Sequence, residues 1–167
     1  MTAYTSPRRP ASVRRPPVPP FQVLLDSHKD DVHRFLVSLV GSRDADDCFQ
    51  ETFLAALRAY PSLRDGRNLR SWLLTIAHRK AIDRTRSSAR VTPVGDAPER
   101  AVPAEEPDPA LWAQVGALPV KQRAAVVLRF VNDLPYRDIG SILDCSEEAA
   151  RRSTHEGVKR LREVIER

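Results

Sequence analysis

Prolines divide this chain before any other feature does. Of 14 prolines, six fall in residues 1–20 and five in residues 89–109, and neither stretch has a periodic apolar pattern. Proline lacks the backbone N–H and locks φ, so neither stretch suits a regular helix or a central strand. Residues 1–20 also hold four arginines and no acid, the composition of a disordered, partly polyproline arm. Residues 89–108 read as a flexible linker. It averages about 25 Å end to end as a coil and about 60 Å as polyproline, so it can place two flanking domains more than one turn of duplex DNA apart.

The segments left between the prolines carry helical periodicity. Phe21, Leu24, Leu25, Val32, Phe35, Leu36, Leu39 and Val40 recur at helix spacing, and Gly41 supplies the stop. A second helix is expected from Asp44 to Tyr60, with Phe49, Phe53, Ala56, Leu57 and Tyr60 on one stripe. A third is expected from Leu69 to Ser88, with Leu69, Trp72, Leu73, Ile76 and Ala77 turned inward. Three amphipathic helices can bury one another, so residues 21–88 form a first small domain. Residues 109–167 form a second, with helices expected over Pro109–Ala117, Val120–Val131, Pro135–Leu143 and Glu147–Glu166. The fold class is all-α: two small helical domains joined by a Pro-rich linker.

Pro135–Leu161 has the pattern of a helix-turn-helix. Pro135 suits a first helical position, and Ile139, Ile142 and Leu143 form an inner face. Gly140 is a poor helix former, justified where a bare Cα lets another helix cross closely. Asp144 tolerates a left-handed turn and Ser146 is a good N-cap, with Cys145 a small hydrophobe between them. In the last helix Ala150, Thr154, Val158, Leu161 and Ile165 fall on one stripe. Glu148, Arg151, Arg152, His155 and Lys159 fall on the other. A helix in the major groove reads bases with its N-terminal residues, and arginine pairs with guanine in bidentate fashion. The bland counterpart is a solvated charged face. Glu147 and Glu148 do not decide for it, because acids favour a helix's opening turn. Glu156 can pair with Arg152 or Arg160, or accept from a cytosine amino group.

The chain's net charge of +5 and pI near 9.7 point toward a polyanion. The second and third helices of the first domain are opposite in sign. Asp46, Asp47, Gln50 and Glu51 lie along one, whereas Arg70, His78, Arg79, Lys80, Arg84 and Arg86 stand against the single acid Asp83 on the other. Two partners are implied, a basic protein surface and a nucleic acid. Cys48 and Cys145 lack metal or disulfide spacing, and His28, His33, His78 and His155 have no acid or cysteine partner at ligand spacing, so neither a metal nor another cofactor is expected. There is no Gly-rich phosphate loop and no placed nucleophile–base pair, so an enzyme is not expected. No apolar run approaches the roughly 18 residues of a membrane span, and no secretory signal is visible. A cytoplasmic protein without membrane insertion is the expectation.

"DADDCFQETFLAALRAY" followed by "LRSWLLTIAHRKAIDRTR" resembles the second conserved region of bacterial RNA polymerase sigma factors. "LPVKQRAAVVLRFVNDLPYRDIGSILDCSEEAARRSTHEGVKRLR" resembles their fourth. The order, the size and the missing middle domain are those of the extracytoplasmic-function (ECF) group. The resemblance implies a factor that binds core RNA polymerase and directs it to promoters, with an anti-sigma factor as a further candidate partner. It implies polymerase docking through Asp46, Asp47, Gln50, Glu51 and Leu54. It assigns the minus-ten element to Arg64, Arg67, Asn68, Arg70, Trp72, His78 and Arg79, and the minus-thirty-five element to Glu148, Arg151, Arg152, His155 and Lys159. The sequence departs from the family pattern at Ala150 and Thr154, where a larger aliphatic residue is usual, at Glu156, where a base is common, and in its arginine–proline arm. A stand-alone helix-turn-helix regulator would explain the second domain equally well, but leaves the first without a purpose.

Overall fold

A computed structural model describes residues 16–91 and 108–166. Most of the arm and linker expected from the sequence, residues 1–15 and 92–107, lie outside the described residues. Seven α-helices follow in order: α1 (Phe21–Val40), α2 (Ser42–Ala59), α3 (Leu69–Val91), α4 (Pro109–Ala117), α5 (Val120–Phe130), α6 (Tyr136–Leu143) and α7 (Glu147–Ile165). A short 3₁₀ turn, Tyr60–Ser62, follows α2. There is no strand among the described residues.

A single glycine joins α1 to α2. Gly41 has φ 80°, donates its N–H to Val37 O at 2.9 Å and accepts from Ala45 N at 3.0 Å. It closes one helix and opens the next in a conformation that costs other residues about 1–2 kcal/mol. The first lobe's core is Leu24, Val32, Phe35, Leu36 and Leu39 of α1 against Cys48, Phe53 and Ala56 of α2 and Leu69, Leu73, Leu74, Ala77 and Ala81 of α3. Along the aromatic stripe of α2, the half-buried Phe49 packs on the buried Phe53 at 4.7 Å between centroids, and Phe21 meets Tyr60 edge-on at 5.1 Å. Leu57, expected inside, is 50% exposed. Trp72 and Ile76 are half-buried, and Leu74 takes the inner place beside Leu73.

In the second lobe Asp108 caps α4, accepting from Ala110 N and Leu111 N at 3.0 and 3.1 Å. Helix α5 is buried along nearly its whole length, from Arg123 to Leu128. The helix-turn-helix forms as the sequence predicts. Asp144 adopts φ 53°, Cys145 N donates to Gly140 O at 2.9 Å, and Ser146 Oγ accepts from Ala149 N at 3.1 Å. Cys145 itself is half-buried. A Cβ on Gly140 would stand 2.7 Å from Cys145 O, so the element that crosses it is the turn's own backbone. Ala150, Thr154 and Gly157 form the buried face of α7, with Thr154 Oγ1 satisfied by Ala150 O at 2.9 Å. Ile165, expected inward, is 63% exposed because the last turn of α7 runs past the lobe.

The two lobes pack on one another: α5 and α4 against α1, and α6 against α3. Their buried side chains form one continuous cluster. Arg123, 1% exposed, crosses the boundary, donating to Leu39 O at 3.1 Å and to Leu118 O at 2.8 Å. Asn132 Nδ2 reaches Asp31 O at 3.3 Å. The linker composition allows the lobes to sit well apart. The structure brings them together, because α1 offers carbonyls and apolar surface that α5 covers.

Candidate nucleic-acid interface

Three surfaces carry the residues singled out from the sequence. On α2, Asp46, Asp47, Gln50, Glu51 and Leu54 are all exposed and share one helical face, since residues three and four apart are neighbours. Asp46 faces His33 Nε2 at 3.0 Å, and Asp47 accepts from Arg84 at 3.3 Å, the same guanidinium that binds Asp44 at 2.8 Å. Leu54 and Leu57, 53% and 50% exposed, stand at the C-terminal end of this acidic ridge. Leu57, which the sequence assigns to the inner stripe, belongs to the surface instead. Below the ridge, burial and then the Glu51 carboxylate push the Cys48 thiol up to about 11. It is a packing group rather than a reactive thiol.

The second surface is the connection from α2 to α3. Asn68, at φ 56°, ends it by offering its carbonyl to Trp72 N at 3.0 Å, a left-handed turn that asparagine tolerates. Arg64 and Asn68 are exposed. Arg67 folds back on Asp65, its Nη2 2.6 Å from Oδ2 and its Nε 2.9 Å from the same oxygen. The remaining residues expected here do not converge on the loop. Arg70 points to α1, where its Nε donates to Asp31 at 2.8 Å. Trp72 packs beside Tyr60, 6.3 Å between centroids. His78 and Arg79 lie about 15 Å further along α3, at its rise of about 1.5 Å per residue. There they line a cleft of about 210 Å³ with Asp83, Arg86 and, from α6, Ser141, Ile142 and Asp144. Burial, then the neighbouring Arg79, lowers the pKa of His78 below its ordinary 6.5.

The third surface is α7. Glu148, Arg151, Arg152, His155 and Lys159 are exposed opposite the buried Ala150, Thr154 and Gly157. Arg151 donates to Glu147 at 3.1 Å and lies 5.1 Å over the Tyr136 ring, whose centroid is also 5.0 Å from the Arg129 guanidinium. Stacking of this kind holds an arginine in place before it meets a ligand. Tyr136 and Arg129 were not legible as part of this surface, since no local pattern relates them to Arg151. Glu156 accepts from Gln122 of α5 at 3.1 Å and so buttresses α7 on α5, a partner neither alternative read from the sequence named. Gly157 was missed as well. A Cβ there would lie 2.7 Å from Val126 Cγ2, so its bareness sets how closely α5 and α7 approach.

The comparisons with known proteins agree with this division. Residues 24–91 match the model of sigma-70 region 2, and residues 109–161 match that of sigma-70 region 4. The chain is 32% identical over 162 residues to the ECF RNA polymerase sigma factor SigE of Mycolicibacterium smegmatis, covering 89% of this chain and 62% of that protein. It therefore spans less than two thirds of SigE. It is 31% identical over 154 residues to the RNA polymerase sigma factor CarQ of Myxococcus xanthus, covering 87% and 88% of the two chains. Its fold is that of the sigma factor RpoE of Bartonella quintana, solved with the anti-sigma factor NepR, at a TM-score of 0.73 and 21% identity over 87% of this chain and 96% of that one. The chain belongs to the sigma-70 family of RNA polymerase sigma factors, in its ECF group.

Proposed function

We infer that this protein is a promoter-specificity subunit of bacterial RNA polymerase, binding the core enzyme and directing initiation at promoters with minus-ten and minus-thirty-five elements. The observation that carries this reading is the presence, in order and in one chain, of the region 2 match over residues 24–91 and the region 4 match over 109–161. The surfaces supply the chemistry. The ridge Asp46, Asp47, Gln50, Glu51 and Leu54, extended by Leu57, docks on a basic and apolar patch of the polymerase. Arg64, Arg67 and Asn68 engage unpaired bases of the minus-ten element through edge hydrogen bonds. Arg70 and Trp72 support that loop from beneath, and His78 and Arg79 face the strand once the lobes part. Arg151, Arg152 and His155 read the minus-thirty-five element, while Lys159 and Glu148 set the helix on the groove. The chain itself catalyses nothing and works in the cytoplasm beside the polymerase. An anti-sigma protein covering these same surfaces is a further partner. No helix among the described residues is long and apolar enough to cross a membrane.

The test is run-off transcription with purified core polymerase on a library of promoter fragments. Discrete transcripts that depend on this protein establish the reading. Failure to stimulate, with no co-elution with core, replaces it with a free helix-turn-helix regulator.

A further inference from the structure

Two buried polar side chains lie on the boundary between the lobes, and one of them fits poorly. Among the described residues the buried polar side chains are Ser38, Thr52, Arg123, Asn132 and Thr154. Ser38, Thr52 and Thr154 each donate to a carbonyl of their own helix. Arg123 and Asn132 instead both reach from the second lobe to carbonyls of α1. Asn132, 0% exposed, lies just past the end of α5. Its Nδ2 meets Asp31 O only at 3.3 Å, a long bond to a mid-helix carbonyl that also accepts within α1. Its Oδ1 is buried with no hydrogen-bond partner among the described residues. A buried acceptor left without a partner costs more than a made hydrogen bond returns, and exposure to water removes that cost.

The inferred function requires the lobes to separate. By their names the two promoter elements stand about 25 base pairs apart, which is about 85 Å of duplex. A compact body of this size is only about 40 Å across. With α4 and α5 packed on α1 and α6 on α3, the loop and α7 therefore reach one element at a time. Closure also leaves His78, assigned to the minus-ten strand, half-buried in the cleft it lines with Ser141 and Ile142 of α6.

We propose that the packed lobes are a closed state of the promoter reader that engages a single element, and that Asn132 is the latch that sets how readily it opens. This rests on the reading of the chain as a sigma factor. The apolar contacts and Arg123 hold the lobes together, while the unpartnered Asn132 oxygen keeps the closed state shallow enough to leave. Relative motion of two lobes is the default unless their interface is large and apolar throughout. Assembly on core polymerase and a two-element promoter draws on the open fraction alone, so apparent affinity scales with that fraction.

Two measurements on full-length variants test this. One is the maximum dimension of the free chain by small-angle scattering. The other is the concentration that gives half-maximal transcription with core polymerase on a two-element promoter. Asn132→Leu, similar in shape but without polar atoms, is expected to keep the chain compact and to raise that concentration about tenfold. Asn132→Asp, of the same size but ionised and unable to donate to Asp31 O, is expected to extend the chain and lower the concentration by a similar factor. Ser141→Trp, at an exposed position of the cleft between α3 and α6, wedges the lobes apart without touching Asn132 and is expected to follow Asn132→Asp. Unfolding midpoints show whether each variant folds, and the two opening variants stand in for one another. A free wild-type chain that is already extended overturns the proposal. So do Asn132→Leu and Asn132→Asp that move the half-maximal concentration in the same direction, or opening variants that extend the chain without moving it. If the wild-type protein gives no transcription and no co-elution with core polymerase, the sigma reading falls. Scattering then decides the latch alone: compact wild type and Asn132→Leu with extended Asn132→Asp support it, and three equal dimensions overturn it.

Discussion

Arg123 of α5 donates to the carbonyl of Leu39 in the last turn of α1, at 3.1 Å. The carbonyls of a helix's last turn have no partner within the helix and lie at the negative end of its dipole. The same guanidinium reaches Leu118 O, just past the end of α4, at 2.8 Å. One buried cation thus closes two helix ends, one from each lobe. Removing it leaves those carbonyls without their charged partner and, of the two polar links described between the lobes, leaves only Asn132 to Asp31 O. Arg123→Ala is expected to lower stability by about 2–4 kcal/mol and to increase the maximum dimension in small-angle scattering. Arg123→Lys, a point charge without the planar fork, is expected to fall between. An unchanged scattering profile with Arg123→Ala would show that the apolar contacts alone hold the lobes together.

Two glycines of the second lobe are bare for different reasons, and substitution separates them. At Gly140 an added Cβ meets the Cys145 carbonyl at 2.7 Å, with Ser146 and Glu147 backbone atoms behind it. None of these can turn aside without moving the whole helix-turn-helix. At Gly157 the nearest atom is Val126 Cγ2, the end of a side chain. Gly140→Ala is expected to cost about 1–3 kcal/mol as overpacking. Gly157→Ala is expected to cost less than Gly140→Ala but still about 1 kcal/mol, since the buried, β-branched Val126 gives way only by a small shift of α5 against α7 while the added methyl favours helix. Urea unfolding of both variants checks the order.

The helix count was legible because proline and 3.6-residue periodicity are local signals. Asp144 and Ser146 were readable for the same reason: turn and cap chemistry is written in the residues that form it. Contacts between distant residues were not. Nothing near Arg123 announces that it will meet Leu39, 84 residues away, and a charged residue in an amphipathic helix is ordinarily assigned to solvent. The loop and α7 were found as charged segments. Which of their arginines face outward was decided by Asp31 for Arg70, by Asp65 for Arg67, and by Tyr136 for Arg151. Leu57 went to the wrong side because α2 is short of large aliphatic residues, so either face could claim it.

Its exposure beside Leu54 adds Leu57 to the docking surface inferred for the polymerase. An apolar pair at one end of an acidic ridge suits an interface whose centre is desolvated and whose rim is charged. Leu54→Ala and Leu57→Ala are each expected to weaken core binding by about 1–2 kcal/mol, with unchanged unfolding midpoints because neither side chain is in the core. Asp46→Ala, at the rim, is expected to alter mainly the salt dependence of association. Titration of labelled core polymerase distinguishes the two classes. Equal and negligible effects of all three would move the docking surface off α2.

His78 makes lobe packing sensitive to pH. It faces Arg79, Asp83 and Arg86 on its own helix, Ser141, Ile142 and Asp144 across the cleft, and the Phe35 ring. Burial holds its pKa below 6.5, with Arg79 adding to the effect; His28 is lowered too, chiefly by burial. Unfolded chains therefore take up these protons at a higher pH than folded ones. Stability is full above pH 6.5 and falls as the pH drops toward the folded values, by at most about 1.4 kcal/mol per pH unit for each histidine. Below the folded values the loss levels off. Unfolding at pH 7.5 and 5.5 is expected to show the difference, and His78→Gln to reduce it. An identical pH response in His78→Gln would place the effect elsewhere.

On the inferred function, substitutions on the exposed face of α7 are expected to separate base reading from phosphate holding. Arg152 and His155 are exposed on its first half with no ion pair among the described residues, so on the inferred function their substitution is expected to remove a DNA contact and little else. Arg151 also holds Glu147 and stacks on Tyr136, so its loss disturbs the helix start. Arg152→Ala is expected to cost about 1–3 kcal/mol on the cognate upstream element and much less on a scrambled one. Lys159→Ala is expected to weaken both alike and to lower the salt slope by about 1. Tyr136→Ala frees Arg151 without touching DNA, and is expected to lose a smaller part of the same specificity. The measurement is holoenzyme affinity for promoter fragments differing only in the upstream element. Equal losses for Arg152→Ala on cognate and scrambled fragments would reduce α7 to a phosphate clamp and shift promoter choice to the first lobe.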